Sequence, residues 1–144
     1  MNLERMDNVG IVVRDLSRAV EFFVALGMEL QGQMPVMGQW VDQVIGLKDS
    51  EIQIAMLRVP GETTGIELMK FQNPPAKSTD SDAPPNTAGI RRIMFAVEDI
   101  EATIESLEQL GGRLIGELVQ YENSYKLCYI RGPEGMMIAL AEEL

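Results

Sequence analysis

Residues 8–30, NVGIVVRDLSRAVEFFVALGMEL, recur without a gap as residues 92–114, RIMFAVEDIEATIESLEQLGGRL. Six aligned pairs are identical: Val13/Val97, Asp15/Asp99, Glu21/Glu105, Leu26/Leu110, Gly27/Gly111 and Leu30/Leu114. Five more keep an apolar residue, among them Ile11/Phe95, Val20/Ile104 and Phe23/Leu107. Self-similarity at a fixed offset marks a duplicated supersecondary unit, so the repeat decides the fold before any single element is read.

Each copy changes hydrophobic period partway along. Val9, Ile11 and Val13 alternate with Asn8, Gly10 and Val12, the period of a strand. Beyond Asp15 the apolar residues Leu16, Ala19, Val20, Phe23 and Leu26 take helical spacing. Asp15 or Ser17 is placed to cap the helix start, and Gly27 to close its end in a left-handed conformation. The second copy matches: Ile93, Phe95 and Val97, then Asp99, then Ile100, Ile104, Leu107 and Leu110, ending on Gly111-Gly112.

Working outward, strand-like segments follow at about 28–37, 51–59 and 65–72, with a loop at 38–50 carrying Trp40 and Asp42. In the second half they fall at 113–121, 125–131 and 136–142. Gly132-Pro133-Glu134-Gly135 reads as a turn, because proline presets one φ angle and glycine accepts a positive one. Residues 73–88 hold four of the seven prolines and read as a linker. The expectation is a single α+β domain of two tandem βαβββ modules, about 5–72 and 89–144. Their curled mixed sheets would surround a concave cleft, with the helices outside. Strand alternation sends Val9, Ile11, Val13, Ile93, Phe95 and Val97 beneath the helices. Asn8, Gly10, Val12, Arg92, Met94 and Ala96 should face the cleft.

Composition narrows the function. A chain of 144 residues can bury a sizeable core. Its net charge of −10 argues against nucleic acid, whose phosphates need a basic patch. Acidity also suits a cationic ligand, although surface solubility explains it as simply. No apolar run spans a membrane and no secretory signal opens the chain. With one cysteine, Cys128, and therefore no intrachain disulfide, the expected location is the cytoplasm.

The repeat, its openings MDNVGIVVRDL and IRRIMFAVEDI, the segment GIELMKF and the late GPEGMMIAL resemble the vicinal oxygen chelate superfamily. That superfamily spans glyoxalase I, methylmalonyl-CoA epimerase, fosfomycin-modifying enzymes, extradiol dioxygenases and bleomycin-binding resistance proteins. The resemblance implies a cleft, a homodimer and, in family enzymes, one divalent metal held by His and Glu residues. The corresponding slots here fall on Asn8, Glu67, Arg92 and Ala139. The chain contains no histidine. Arg92 is a permanent cation and Ala139 has no donor, so only Glu67 keeps a family ligand. The expectation is a cleft without the usual metal or any other cofactor, a divalent ion remaining the alternative.

The candidate ligand-binding residues are Asn8, Trp40, Glu67, Met69, Arg92, Met94, Tyr121, Glu122, Tyr125 and Met137. Arg92 either pairs with Glu67 in place of the missing cation or turns to solvent over its aliphatic stem. Glu67 is a candidate general base if burial raises its pKa, or simply an ion-paired carboxylate. Trp40 reads as a binding platform or as cover for the core or an oligomer contact. Glu122-Asn123-Ser124 forms a polar turn or a loop over the cleft mouth flanked by tyrosines. Met69, Met94 and Met137 take cleft-facing parity, where methionine makes an adaptable wall, yet methionine also fills cores. Cys128 reads as a small buried residue.

Three functions follow from these readings. One is a metal-free small-molecule binder, similar in logic to bleomycin-binding resistance proteins. Another is a metal-dependent lyase, isomerase, transferase or dioxygenase using Glu67, of which a glyoxalase-like lyase is the first candidate. The last is a non-enzymatic regulatory or interaction module.

Overall fold

The computed structural model describes residues 1–144. It divides into two compact units, Met1–Ser78 and Thr79–Leu144. In the first unit the order is β1 (Asn8–Val12), α1 (Leu16–Leu26), β2 (Glu29–Met37), α2 (Gln39–Ile45), β3 (Glu51–Arg58) and β4 (Gly65–Asn73). The second runs β5 (Ile93–Ala96), α3 (Ile100–Glu108), β6 (Arg113–Leu114), β7 (Val119–Tyr121), β8 (Tyr125–Arg131), a one-turn 3₁₀ helix (Pro133–Gly135) and β9 (Met137–Glu143).

The two sheets repeat one plan. In the first, the strand order is β1-β4-β3-β2, with β1 parallel to β4 and the other pairs antiparallel. In the second it is β5-β9-β8-β6, with β5 parallel to β9 and β7 also on β8. A parallel pair needs a long crossover, and here α1 and α3 begin it. Asp15 accepts from Arg18 N at 3.1 Å and Asp99 from Ala102 N at 3.0 Å, so both helices start on the aspartate shared by the repeat. Gly27 closes α1 at φ 121°, a conformation that glycine adopts without steric cost.

Burial follows strand alternation. Val13, Ala55, Leu57, Ile66 and Leu68 pack with Ala19, Phe22 and Phe23 of α1, where the two phenylalanine rings meet edge-on at 5.5 Å. In the second unit Cys128, Ile130, Ile138 and Leu140 are buried together with Ile100, Ile104 and Leu107 of α3. Asn8, Gly10, Val12, Arg92, Met94 and Ala96 are all exposed, on the faces opposite these helices.

Two segments depart from the expected pattern. The predicted loop at 38–50 contains α2, whose Val41 is buried against Ile52 and Ile54, with Val36, Met69 and Phe71 packed around them. This helix lacks a side-chain N-cap and has only seven residues, so burial of Val41 holds it rather than intrinsic propensity. The predicted strand 113–121 is broken into β6 and β7, because residues 115–118 leave the ladder around Gly116.

Asp42 ties α2 to β3, accepting from Asp49 N and Ser50 N at 3.0 Å each. The Ser50 side chain and backbone N–H, with that of Asp49, hold the Asp42 carboxyl below its ordinary 3.8. A depressed carboxylate pKa stabilises the fold above the ordinary value and is lost as pH falls through the folded one. Acidification below about 3.8 is therefore expected to release α2. Emission from Trp40, the only tryptophan and carried on α2, reads this directly. Asp42→Asn should abolish that acid transition and loosen α2 already at pH 7.

Candidate functional site

In the first unit, Asn8 and Glu67 come together. Gly10, Glu67 and Met56 form one row across β1, β4 and β3, and Asn8 shares their parity. Asn8 and Glu67 line a pocket of about 190 Å³ with Asp7, Gln31, Met56, Arg58, Thr63 and Gly65. Glu67 is half-buried. Arg58, which sequence reasoning did not single out, lines the same pocket. Alternation along β3 gives it the parity of Met56, and that was its only signal.

The remaining first-unit candidates lie further along the sheet. Met69 packs against the Val41–Ile52–Ile54 cluster beneath α2. Trp40 stands 62% exposed on α2, beside a depression of about 500 Å³ bordered by Met37, Gly38, Gln39, Asp42, Asp49, Ser50 and Glu51.

In the second unit the face opposite α3 carries the other candidates. Met94, Ala139 and Tyr129 form one row across β5, β9 and β8. Arg92 Nε donates to the Tyr129 hydroxyl at 2.6 Å, and its guanidinium carbon stands 5.3 Å from the Tyr129 ring centroid. Ala139 is fully buried and Met137 nearly so, the latter opposite Arg131. Tyr121 and Tyr125 pair across the β7–β8 hairpin, stacked at 5.7 Å, with Glu122 at φ 50° in the turn between them. Beside Tyr129 lies an apolar cavity of about 350 Å³, lined by Pro85, Ile115, Gly116, Glu117, Val119, Leu127, Cys128 and Tyr129. The break between β6 and β7 opens it.

Arg131 also belongs to this face and is 7% exposed. It donates to Ser81 O at 3.0 Å, Ala83 O at 2.9 Å and Gly135 O at 3.1 Å. The segment before Pro85 is thereby clamped to the 132–135 turn, and Arg113 adds an ion pair to Asp82 at 2.6 Å.

Elsewhere in the unit, Asp99, Glu101 and Glu142 bring carboxylate oxygens within 4.8 Å of one another. Lys126 Nζ pairs with two of the three, at 2.6 Å from Glu101 and 3.9 Å from Glu142, while Glu142 also accepts from Ile100 N. The cluster is an ion-pair network at the start of α3.

Cys128 is buried, and desolvation pushes its thiol above the ordinary 9.0. Thiol titration with a disulfide reagent at pH 8 should accordingly label the native chain at least about ten times more slowly than the urea-unfolded chain.

The chain matches the model of the Glyoxalase/Bleomycin resistance protein/Dioxygenase superfamily over residues 5–140. It belongs to that superfamily. A glyoxalase family protein from Bacillus cereus, known as a crystal structure, is 48% identical, with a TM-score of 0.96 over 100% of this chain and 97% of that one. The uncharacterized protein YwbC of Bacillus subtilis is 28% identical over 94% of each chain. TnmS3, an antibiotic binding protein from Streptomyces, shares the fold at 17% identity, with a TM-score of 0.62 over 100% of this chain and 99% of that one. No helix is long and apolar enough to cross a membrane.

A divalent metal wants several oxygen or imidazole donors. Of the four slots, Glu67 offers a carboxylate and Asn8 an amide oxygen. Ala139 is buried without a donor, and Arg92 is a cation held by Tyr129. Arg58 is a cation among the residues that line the pocket of Glu67. These residues do not fit the family's metal.

Proposed function

We propose that this superfamily member binds a small organic molecule and does so without the family's divalent metal. The observation that carries the reading is the arginine at slot 92, fixed against Tyr129 where a neutral metal ligand would be needed. Asn8 and Glu67 then serve as hydrogen-bonding groups of a polar pocket, and Met94 and the paired tyrosines as apolar contact surface. An antibiotic binding protein shares this fold, so sequestration of a small molecule is within its repertoire. We also infer a cytoplasmic homodimer. Val12, Met34 and Met56 leave apolar surface exposed on the first unit's sheet, and such patches mark contact surfaces.

Metal analysis of untagged protein, combined with a thermal-shift screen of metabolites and antibiotics, tests this. A ligand that prefers the native state raises its apparent stability, by about 2.7 kcal/mol at a concentration one hundred times Kd. The expected result is no stoichiometric metal and at least one stabilising compound. Stoichiometric divalent metal that tracks an activity and is lost in Glu67→Ala would establish the metal-dependent enzyme instead. A screen without any stabilising compound would favour the interaction module. Light scattering checks the dimer.

A further inference from the structure

We infer that the second unit selects an anionic ligand, through Arg92 and Tyr129 at the edge of its apolar cavity. The inference rests on the small-molecule reading and adds the ligand's charge and shape. Three other cations of this unit are matched, Arg113 by Asp82, Lys126 by Glu101 and Glu142, and Arg131 by three backbone carbonyls, while the neighbouring Arg91 keeps a buried Nε without a hydrogen-bond partner. Arg92 is held by an uncharged phenol.

That arrangement fixes the guanidinium without consuming its charge. Nε is engaged, which leaves the Nη fork to make the paired hydrogen bonds that suit a carboxylate, sulfonate or phosphate oxygen pair. The Tyr129 oxygen accepts from Arg92, so its own proton remains available as a further donor.

Tyr129 is also a wall of the 350 Å³ cavity. Ile115, Val119, Leu127 and Pro85 supply apolar lining there, enough for a body of one or two rings. The chemistry points to an aromatic or branched aliphatic acid, its charge on Arg92 and its body against Leu127 and Val119. Glu117 at the rim is exposed, so solvent and salt screen its repulsion. The chain's net charge of −10 slows an anion's approach but is screened in the same way.

Two fluorescent probes separate charge from shape. 1-Anilinonaphthalene-8-sulfonate and N-phenyl-1-naphthylamine share an apolar body and differ in the sulfonate. The wild type is expected to bind the sulfonate at least about tenfold more tightly, the scale of a charge-assisted contact. Arg92→Gln should erase that preference and leave the neutral probe's affinity unchanged. Tyr129→Phe should lower sulfonate affinity a few-fold, while Arg113→Gln, with circular dichroism confirming each fold, should not. Equal affinity of the wild type for both probes, or equal losses in the Arg92 and Arg113 variants, would overturn the inference and leave small-molecule binding standing. Failure of both probes to bind would remove the cavity as a ligand site as well.

Discussion

Arg131→Met is expected to destabilise the protein by about 3 kcal/mol, measured as a lowered urea midpoint at unchanged slope. The guanidinium is buried and spans three backbone carbonyls contributed by two chain segments. A hydrogen bond to a charged group contributes roughly 1.5–3 kcal/mol, and a buried acceptor left unpaired costs roughly 1–3 kcal/mol more. Against this stands the relief of desolvating a charge, which keeps the net loss well below the sum. Methionine preserves the apolar stem, so the measured loss reports the fork. Arg131→Lys keeps the charge but cannot reach three carbonyls with planar geometry, and should fall between the two. The turn on the far side makes the clamp tight. Gly135 has φ 87°, and a Cβ there would stand 2.2 Å from Ser81 O. Loss of the clamp should also admit solvent to the cavity beside Pro85, raising hydrogen exchange at Ala83.

How far the sequence disclosed all this depended on whether the controlling contacts were local. The parity of Val9, Ile11 and Val13, the aspartate caps and the Gly27 stop are set within a few residues, and of the two cap candidates for the first helix the structure uses Asp15 rather than Ser17. The duplication carried the superfamily and the two mixed sheets, because both halves repeat the same local signals. Contacts across long separations were not legible. Helix α2 exists because Val41 meets Ile52 and Ile54, and its own seven residues carry no cap signal. Tyr129 became the partner of Arg92 only through the register that sets Met94 beside Ala139 and Ala139 beside Tyr129. Arg131 carries no local signal beyond its parity in β8. Its partners are main-chain carbonyls, two in the proline-rich linker and one at Gly135, and carbonyls leave no mark in a sequence.

Gly65→Ala should cost about 3 kcal/mol and disrupt the Asn8–Glu67 pocket, whereas Gly10→Ala in the same sheet should stay within about 1 kcal/mol of wild type. The contrast rests on what each new methyl group meets. At Gly65 it would stand 2.2 Å from the carbonyl oxygen of Leu57, an atom fixed by the β3–β4 ladder. Relief requires the two strands to part where Arg58 pairs with Gly65 and Asn8 flanks it on β1. At Gly10 the nearest atom is Met69 Cε at 2.9 Å, the end of a flexible side chain that can swing aside. Alanine also suits a strand better than glycine, since glycine loses more chain entropy on folding. Thermal unfolding of the two variants measures the difference. Two-dimensional NMR of the Asn8 side-chain amide then shows whether the pocket survives in each. Equal destabilisation would mean that Met69 is locked beneath α2, and that the cluster around Val41 is stiffer than a methionine contact implies.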